Sequence, residues 1–116
     1  MSDCTAHAKS SALRFGGEPE DYIALHLWFD EPKAHVGNWR QRAIRHHTLG
    51  IREAIDKFGP WLPLSNDKRV STRLVSEQHL MEDLGWLPSV DDWLRHLAVQ
   101  PWMAGAARRL SQELPD

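Results

Sequence analysis

The chain has 116 residues, of which 41% are hydrophobic and 26% charged, and its formal net charge is −2. Such a chain fits one soluble globular domain that can bury roughly two-thirds of its unfolded surface, and it is not disordered. The same arithmetic excludes a protein that coats nucleic acid by charge alone and a membrane span, which needs about 18 apolar residues in a row. With one cysteine, Cys4, it also excludes an internal disulfide or a cysteine-based zinc site.

Glycine and proline divide the chain into helical pieces. A first helix is predicted from Asp3 to Phe15, with Asp3 or Thr5 as N-cap and Gly16-Gly17 as the stop. Pro19 suits a first helical position, and Glu20 and Asp21 suit the start of a second helix running to about Asp30, where Pro32 blocks continuation. A third helix is predicted from His35 to Asn38 onward, ending at Phe58 before Gly59-Pro60. Leu62, Leu64, Val70 and Thr72 flank the turn formers Ser65-Asn66-Asp67-Lys68, which predicts a short β-hairpin. Helix returns from about Leu74 to Leu84 and stops at Gly85. Ser89 and Asp92 make a capping-box pattern that opens a helix of about two turns. Pro101 starts a last helix, Trp102 to Leu114. The expected fold is a mainly α, compact bundle of five to six helices with one short β-hairpin. It forms a single domain over 1–116, with a core at 1–98 and a helical extension at 99–116. The N-terminus lacks the apolar core of a secretory signal, so the cytoplasm is the expected compartment.

Seven His and six Trp are an unusual surplus beside three Phe and one Tyr. Placing each His on its helix gives the count meaning. His26 and Asp30 are four apart on the second helix, and His79 and Asp83 repeat that spacing, so each pair lies side by side. A carboxylate at this distance can orient an imidazole for acid–base work, or both groups can bind one metal ion. A core histidine and a capping aspartate would satisfy the spacing equally well. Asp83 sits near a helix C-terminus, against the preference of a negative charge. On a continuous third helix, His46 and His47 would splay to different faces, one a ligand and the other structural. Ile44, Thr48, Ile51, Ile55 and Phe58 would share one arc, and Trp39, Arg42 and Leu49 another, as on a helix buried from both sides. His7 lies within a turn or two of Ser10 and Ser11. Glu77 can pair with Arg73, and His35 and His96 are isolated. Charge is segregated: 33–57 carries +4, 1–32 carries −4 and 58–116 carries −2. The basic stretch can hold a phosphate or pair with its acidic neighbours.

The segments HAKSSALRFGGEPEDY, H-x-W-F-D-E-x-K-A-H, R-x-R-A-I-R-H-H-x-x-G-I and V-x-x-R-x-x-x-E-Q-H-x-x-E-D-L-G-x-x-P, taken together, resemble a small family of bacterial and phage proteins of unestablished activity. The resemblance covers about residues 7–94. Its signature positions fall at His7, Ser10, His26, Asp30, Lys33, Arg42, His46, His47, Arg73, Glu77, His79 and Asp83. Gln41 departs from it, standing where His is common. The resemblance implies an architecture and a polar signature without a reaction.

Two function classes follow. The first is a divalent-metal-dependent hydrolase acting on a phosphoester or nucleotide. In it, His7, His26, Asp30, His46, His47 and His79 are candidate ligands for Zn, Mn or Fe. Glu77, Asp83 and Lys33 are candidate catalytic groups, and Arg42, Ser10 and Arg73 would hold the substrate. The adjacent His-Asp dipeptide used by helical His-Asp metallohydrolases is missing. The second class is a non-catalytic binding module, engaging a host protein through Trp61, Trp86 and Trp102, or gripping an anionic small molecule without metal.

Overall fold

Asp3 accepts a hydrogen bond from the Ala6 N–H at 2.9 Å and opens α1, Cys4–Phe15. The computed structural model describes residues 3–105. Gly16 closes α1 at a φ of 93°, where a side chain would be strained. Pro19 begins a 3-10 turn, Pro19–Tyr22, that continues as α2, Ile23–Asp30. A second 3-10 turn, Glu31–Ala34, takes Pro32 into its first positions.

The third helix is not continuous as the sequence suggested. The chain makes a 3-10 turn, Trp39–Gln41, one α-helical turn, α3, Arg42–Arg45, and then breaks before α4, Thr48–Phe58. The break lies at His46 and His47, whose ψ angles are 66° and 174°. His47 is the N-cap of α4: its Nδ1 accepts from the Gly50 N–H at 3.0 Å, and its Nε2 donates to the Ile44 carbonyl at 3.1 Å. The Thr48 N–H donates to the Pro88 carbonyl and the Trp93 Nε1–H to the His46 carbonyl, both at 2.9 Å. Gly50 is required here, because a Cβ would lie 1.8 Å from the Arg45 carbonyl oxygen. The break also removes the expected two-sided burial. Ile51 and Ala54 are buried, whereas Trp39, Ile44 and Leu49 are exposed.

The hairpin pairs β1, Trp61–Pro63, with β2, Arg69–Ser71, placing Leu62 opposite Val70. Thr72 is not a strand residue. It opens α5, Thr72–Leu84, which Ser71 caps and Gly85 closes in the left-handed conformation. The reciprocal Ser89–Asp92 box starts α6, Val90–Leu94, as its spacing predicted. Pro101–Ala104 is a 3-10 turn, and the rest of the predicted helix to Leu114 lies outside the described residues. The fold is mainly α, with six α-helices and one antiparallel hairpin among the described residues.

Helices α1, α2, α4 and α5 pack about Tyr22, Leu25, Phe29, Ile51, Val75 and Leu80. A second, polar set is buried among them: His7, Ser11, His26, His46, Gln78 and His79. Among the described residues, no helix is long and apolar enough to cross a membrane. The backbone break yields a stability prediction. Gly50→Ala should cost about 3 kcal/mol, because the Arg45 carbonyl must move, and His47→Ala about 1 kcal/mol through its lost cap. Urea unfolding of the two variants checks the order; equal losses would remove the assigned role of Gly50.

Candidate functional site

Three segments deliver four polar groups to one point. Asp30 ends α2, His46 stands in the break between α3 and α4, and His79 and Asp83 lie one turn apart on α5. Their side chains are almost fully buried, with relative exposures of 8% for Asp30, 3% for Asp83 and 0% for both histidines. His46 Nε2 is 3.1 Å from His79 Nε2, 3.0 Å from Asp83 Oδ2 and 3.5 Å from Asp30 Oδ1. His79 Nε2 is 3.4 Å from Asp30 Oδ1 and 3.3 Å from Asp83 Oδ2.

These five separations are five of the six edges of a tetrahedron of donor atoms, and all four atoms lie within 4.8 Å of one another. In a regular tetrahedron with edges near 3.3 Å the centre lies about 0.61 of an edge, or about 2.0 Å, from each corner. That is the bond length of a divalent ion to imidazole nitrogen or carboxylate oxygen. The four residues could therefore hold one metal ion. Both carboxylates also stand at helix C-termini, where the backbone carbonyls favour a cation.

A surrounding layer fixes these groups. His7 on α1 reaches Asp83 Oδ1 through Nε2 at 3.2 Å and Glu82 Oε1 through Nδ1 at 2.7 Å. Ser10 donates to Glu82 Oε2. His26 lies behind His79, with their Nδ1 atoms 2.9 Å apart, and its Nε2 is 2.8 Å from Ser11 Oγ. Phe29 stacks on His79 at 5.0 Å between ring centroids and forms an apolar wall. Lys33 Nζ is 3.7 Å from Asp30 Oδ2, and Arg42 Nη2 is 3.8 Å from Asp83 Oδ1. Arg45 pairs with Glu31. Three cations of the basic stretch thus face acids of their neighbours.

Burial dominates the electrostatics. It drives the His26 pKa down to about 3, helped by the neighbouring His79 and His7, and it lowers His46 and His47. For Asp83, burial acts upward, but the surrounding imidazoles of His46, His7 and His79 outweigh it and hold the carboxyl far below its usual range. Asp30 is lowered in the same way by His79, and Glu82 by Ser10 and His7. His7 moves the other way: burial lowers it, but Asp83 and Glu82 outweigh burial and raise it.

The sequence-predicted residues divide clearly. Asp30, His46, His79 and Asp83 converge. His26, His7 and Ser10 contact or back the converging set, and Lys33 and Arg42 flank its carboxylates. His47 is not brought to the centre, because both its ring nitrogens serve the break. Glu77 and Arg73 pair with each other at 3.0 Å on the outer face of α5. His35 and His96 are exposed. Sequence reasoning missed Glu82 and Gln78, although they are themselves four apart, on the stripe next to His79 and Asp83. Trp61, Trp86 and Trp102 are exposed as anticipated, and so is Trp39, which had been grouped with the core.

A family model described as a domain of unknown function (DUF6915) matches residues 2–103. The chain belongs to that family. No curated protein and no solved structure matches it. Within this DUF6915 domain, the converging residues come from three of the four segments singled out in the sequence: the second, the third and the last.

The site has a pH signature. His26 titrates at 6.5 when unfolded and about 3 when folded, so the unfolded chain binds more protons between those values and stability is lost as pH falls. His46 and His47 act in the same direction, and the raised His7 opposes them. In EDTA, thermal unfolding should reveal a loss of about 2 kcal/mol between pH 7 and pH 5. Unchanged stability over that window would mean that the buried imidazoles accept protons in place.

Proposed function

We propose that the protein binds one divalent metal ion through Asp30, His46, His79 and Asp83, and that it is a metal-dependent hydrolase of a phosphoester or nucleotide-type substrate. The carrying observation is the convergence of four buried donor atoms within 4.8 Å of one another, five of their six separations being 3.0–3.5 Å. Mixed nitrogen and oxygen donors suit Zn, Mn or Fe, and such an ion supplies Lewis acidity and a nucleophile at neutral pH. Asp30 and Lys33 also line an open groove of about 340 Å³ between the start of α1 and the end of α2, with Asp3 and Glu31 on its walls. Through this groove a substrate would reach the ion. Lys33 on that side and Arg42 on the other would offset phosphate charge. Arg42 supports this role because its Nε is buried without a hydrogen-bond partner.

One observation favours a second reading. All four donors are protein side chains with almost no exposure, the pattern of a closed structural ion rather than one with an open position. Metal analysis with an activity screen separates the two. The purified protein, reloaded with Mn²⁺, Zn²⁺ or Fe²⁺, should carry one ion per chain and release phosphate from p-nitrophenyl phosphate or a nucleotide. Stoichiometric metal with a raised melting temperature and no turnover would assign the ion to structure. No metal retained or bound on titration would dismiss both readings. His79→Ala and Asp83→Asn should abolish stoichiometric binding while far-UV circular dichroism remains helical.

A further inference from the structure

Glu82, Gln78, Ser11 and His26 form an unbroken line of hydrogen bonds that ends on His79, and the chemistry of its first members fixes the direction of every later one. The Gln78 amide nitrogen faces the His7 carbonyl at 3.1 Å and Glu82 Oε1 at 3.0 Å. Both partners can only accept, so the NH₂ group must be on that side and Oε1 on the other. Gln78 Oε1 is 2.6 Å from Ser11 Oγ. The His7 carbonyl oxygen lies 2.9 Å from the same hydroxyl; neither oxygen carries a proton, so Ser11 donates its own to one or other of them. Having given its only proton, Ser11 Oγ must accept from His26 Nε2 at 2.8 Å. A neutral imidazole carries one N–H, so His26 Nδ1 is an acceptor. It then takes the proton of His79 Nδ1 across 2.9 Å. In neutral His79 the lone pair is then left on Nε2, the atom that meets His46, Asp30 and Asp83.

We propose that Glu82, Gln78, Ser11 and His26 are positioning residues that lock His79 as its Nδ1–H tautomer and aim its Nε2 lone pair at the centre between Asp30, His46 and Asp83. His26, whose spacing from Asp30 marked it as a candidate ligand, acts through His79 instead. The inference rests on the metal-site reading for its purpose, since a lone pair aimed at two carboxylate oxygens needs a cation between them. Its geometry, however, holds for the metal-free chain. Partners that hold the second nitrogen of a ligating imidazole set its tautomer and basicity, and their loss weakens metal binding about 10–100-fold.

Two measurements on the full chain test the relay. The first is two-bond ¹H–¹⁵N correlation spectroscopy on the metal-free protein at pH 7.5, with His79 assigned by comparison with His79→Asn. It should find the proton on Nδ1, and a proton on Nε2 would overturn the proposal. The second is Co²⁺ titration, followed by the visible absorption of the bound ion. His26→Leu, which offers His79 no acceptor, should bind Co²⁺ about 10–100-fold more weakly than the parent chain. His26→Gln, which can accept from His79 and donate to Ser11, should recover most of that loss. Unchanged affinity in His26→Leu, or no recovery in His26→Gln, would sink the relay. If the leucine variant does not fold, the tautomer in the unmodified chain decides. An Nδ1–H tautomer in a parent chain that binds no Co²⁺ would support the relay and refute the metal reading, so the two fail separately.

Discussion

Burying a carboxylate is costly unless charge and hydrogen bonds replace the water it loses. Asp30 and Asp83 are both buried at the C-terminal ends of helices, where the backbone adds to the cost. Much of the interior answers that demand. His46 and His79 meet the inward oxygens, His7 holds the other oxygen of Asp83, and Lys33 and Arg42 approach from the two sides. Each of these groups then needs its own partner, and so the network spreads to Glu82, Gln78, Ser11 and Ser10. The polar core is therefore one connected set rather than several separate tolerances. A half-satisfied version of it would be worse than an apolar core.

The apolar residues complete the arrangement by limiting what else can approach. Phe29 lies against His79 and meets His46 edge-on, so the imidazoles face carbon on one side and polar atoms on the other. Such walls strengthen every electrostatic contact within them. Leu25 and Phe29 pack in the core while His26 and Asp30 look toward α1 and α5, which lets one short helix serve both layers.

Much of this was legible because helical periodicity is a local property. The repeated His-x-x-x-Asp spacing placed each pair on one face, and the turn and cap residues gave both ends of α1, the C-terminal ends of α2 and α5 and the start of α6. The break at His46 and His47 was not legible from periodicity, since continuous apolar spacing on either side of it suggested one long helix. Its cause is the meeting of three contacts, from Gly50, Pro88 and Trp93, and only the first is close in sequence. A histidine three residues before a glycine was the available clue, because that histidine can cap and that glycine can admit a carbonyl. Glu77 and Arg73 make the pair that their spacing allowed. They lie near His79 along the chain yet on the solvent side of α5, where their mutual pairing satisfies them. Glu82 was overlooked beside Asp83 because its partner, His7, lies 75 residues away.

The separations within the cluster also bear on how the chain reaches its native state. His7 meets Asp83 across 76 residues, His26 meets His79 across 53, and His46 meets His79 across 33. Local helix formation can bring none of these pairs together. Each requires closure of a long loop, and that entropy is spent before the contact repays it. A compact intermediate with correct helices but unjoined imidazoles would expose several unpaired buried groups at once. Packings that bury the same hydrophobic area without joining these groups would leave them unpaired, so the cluster favours the native arrangement of helices over them.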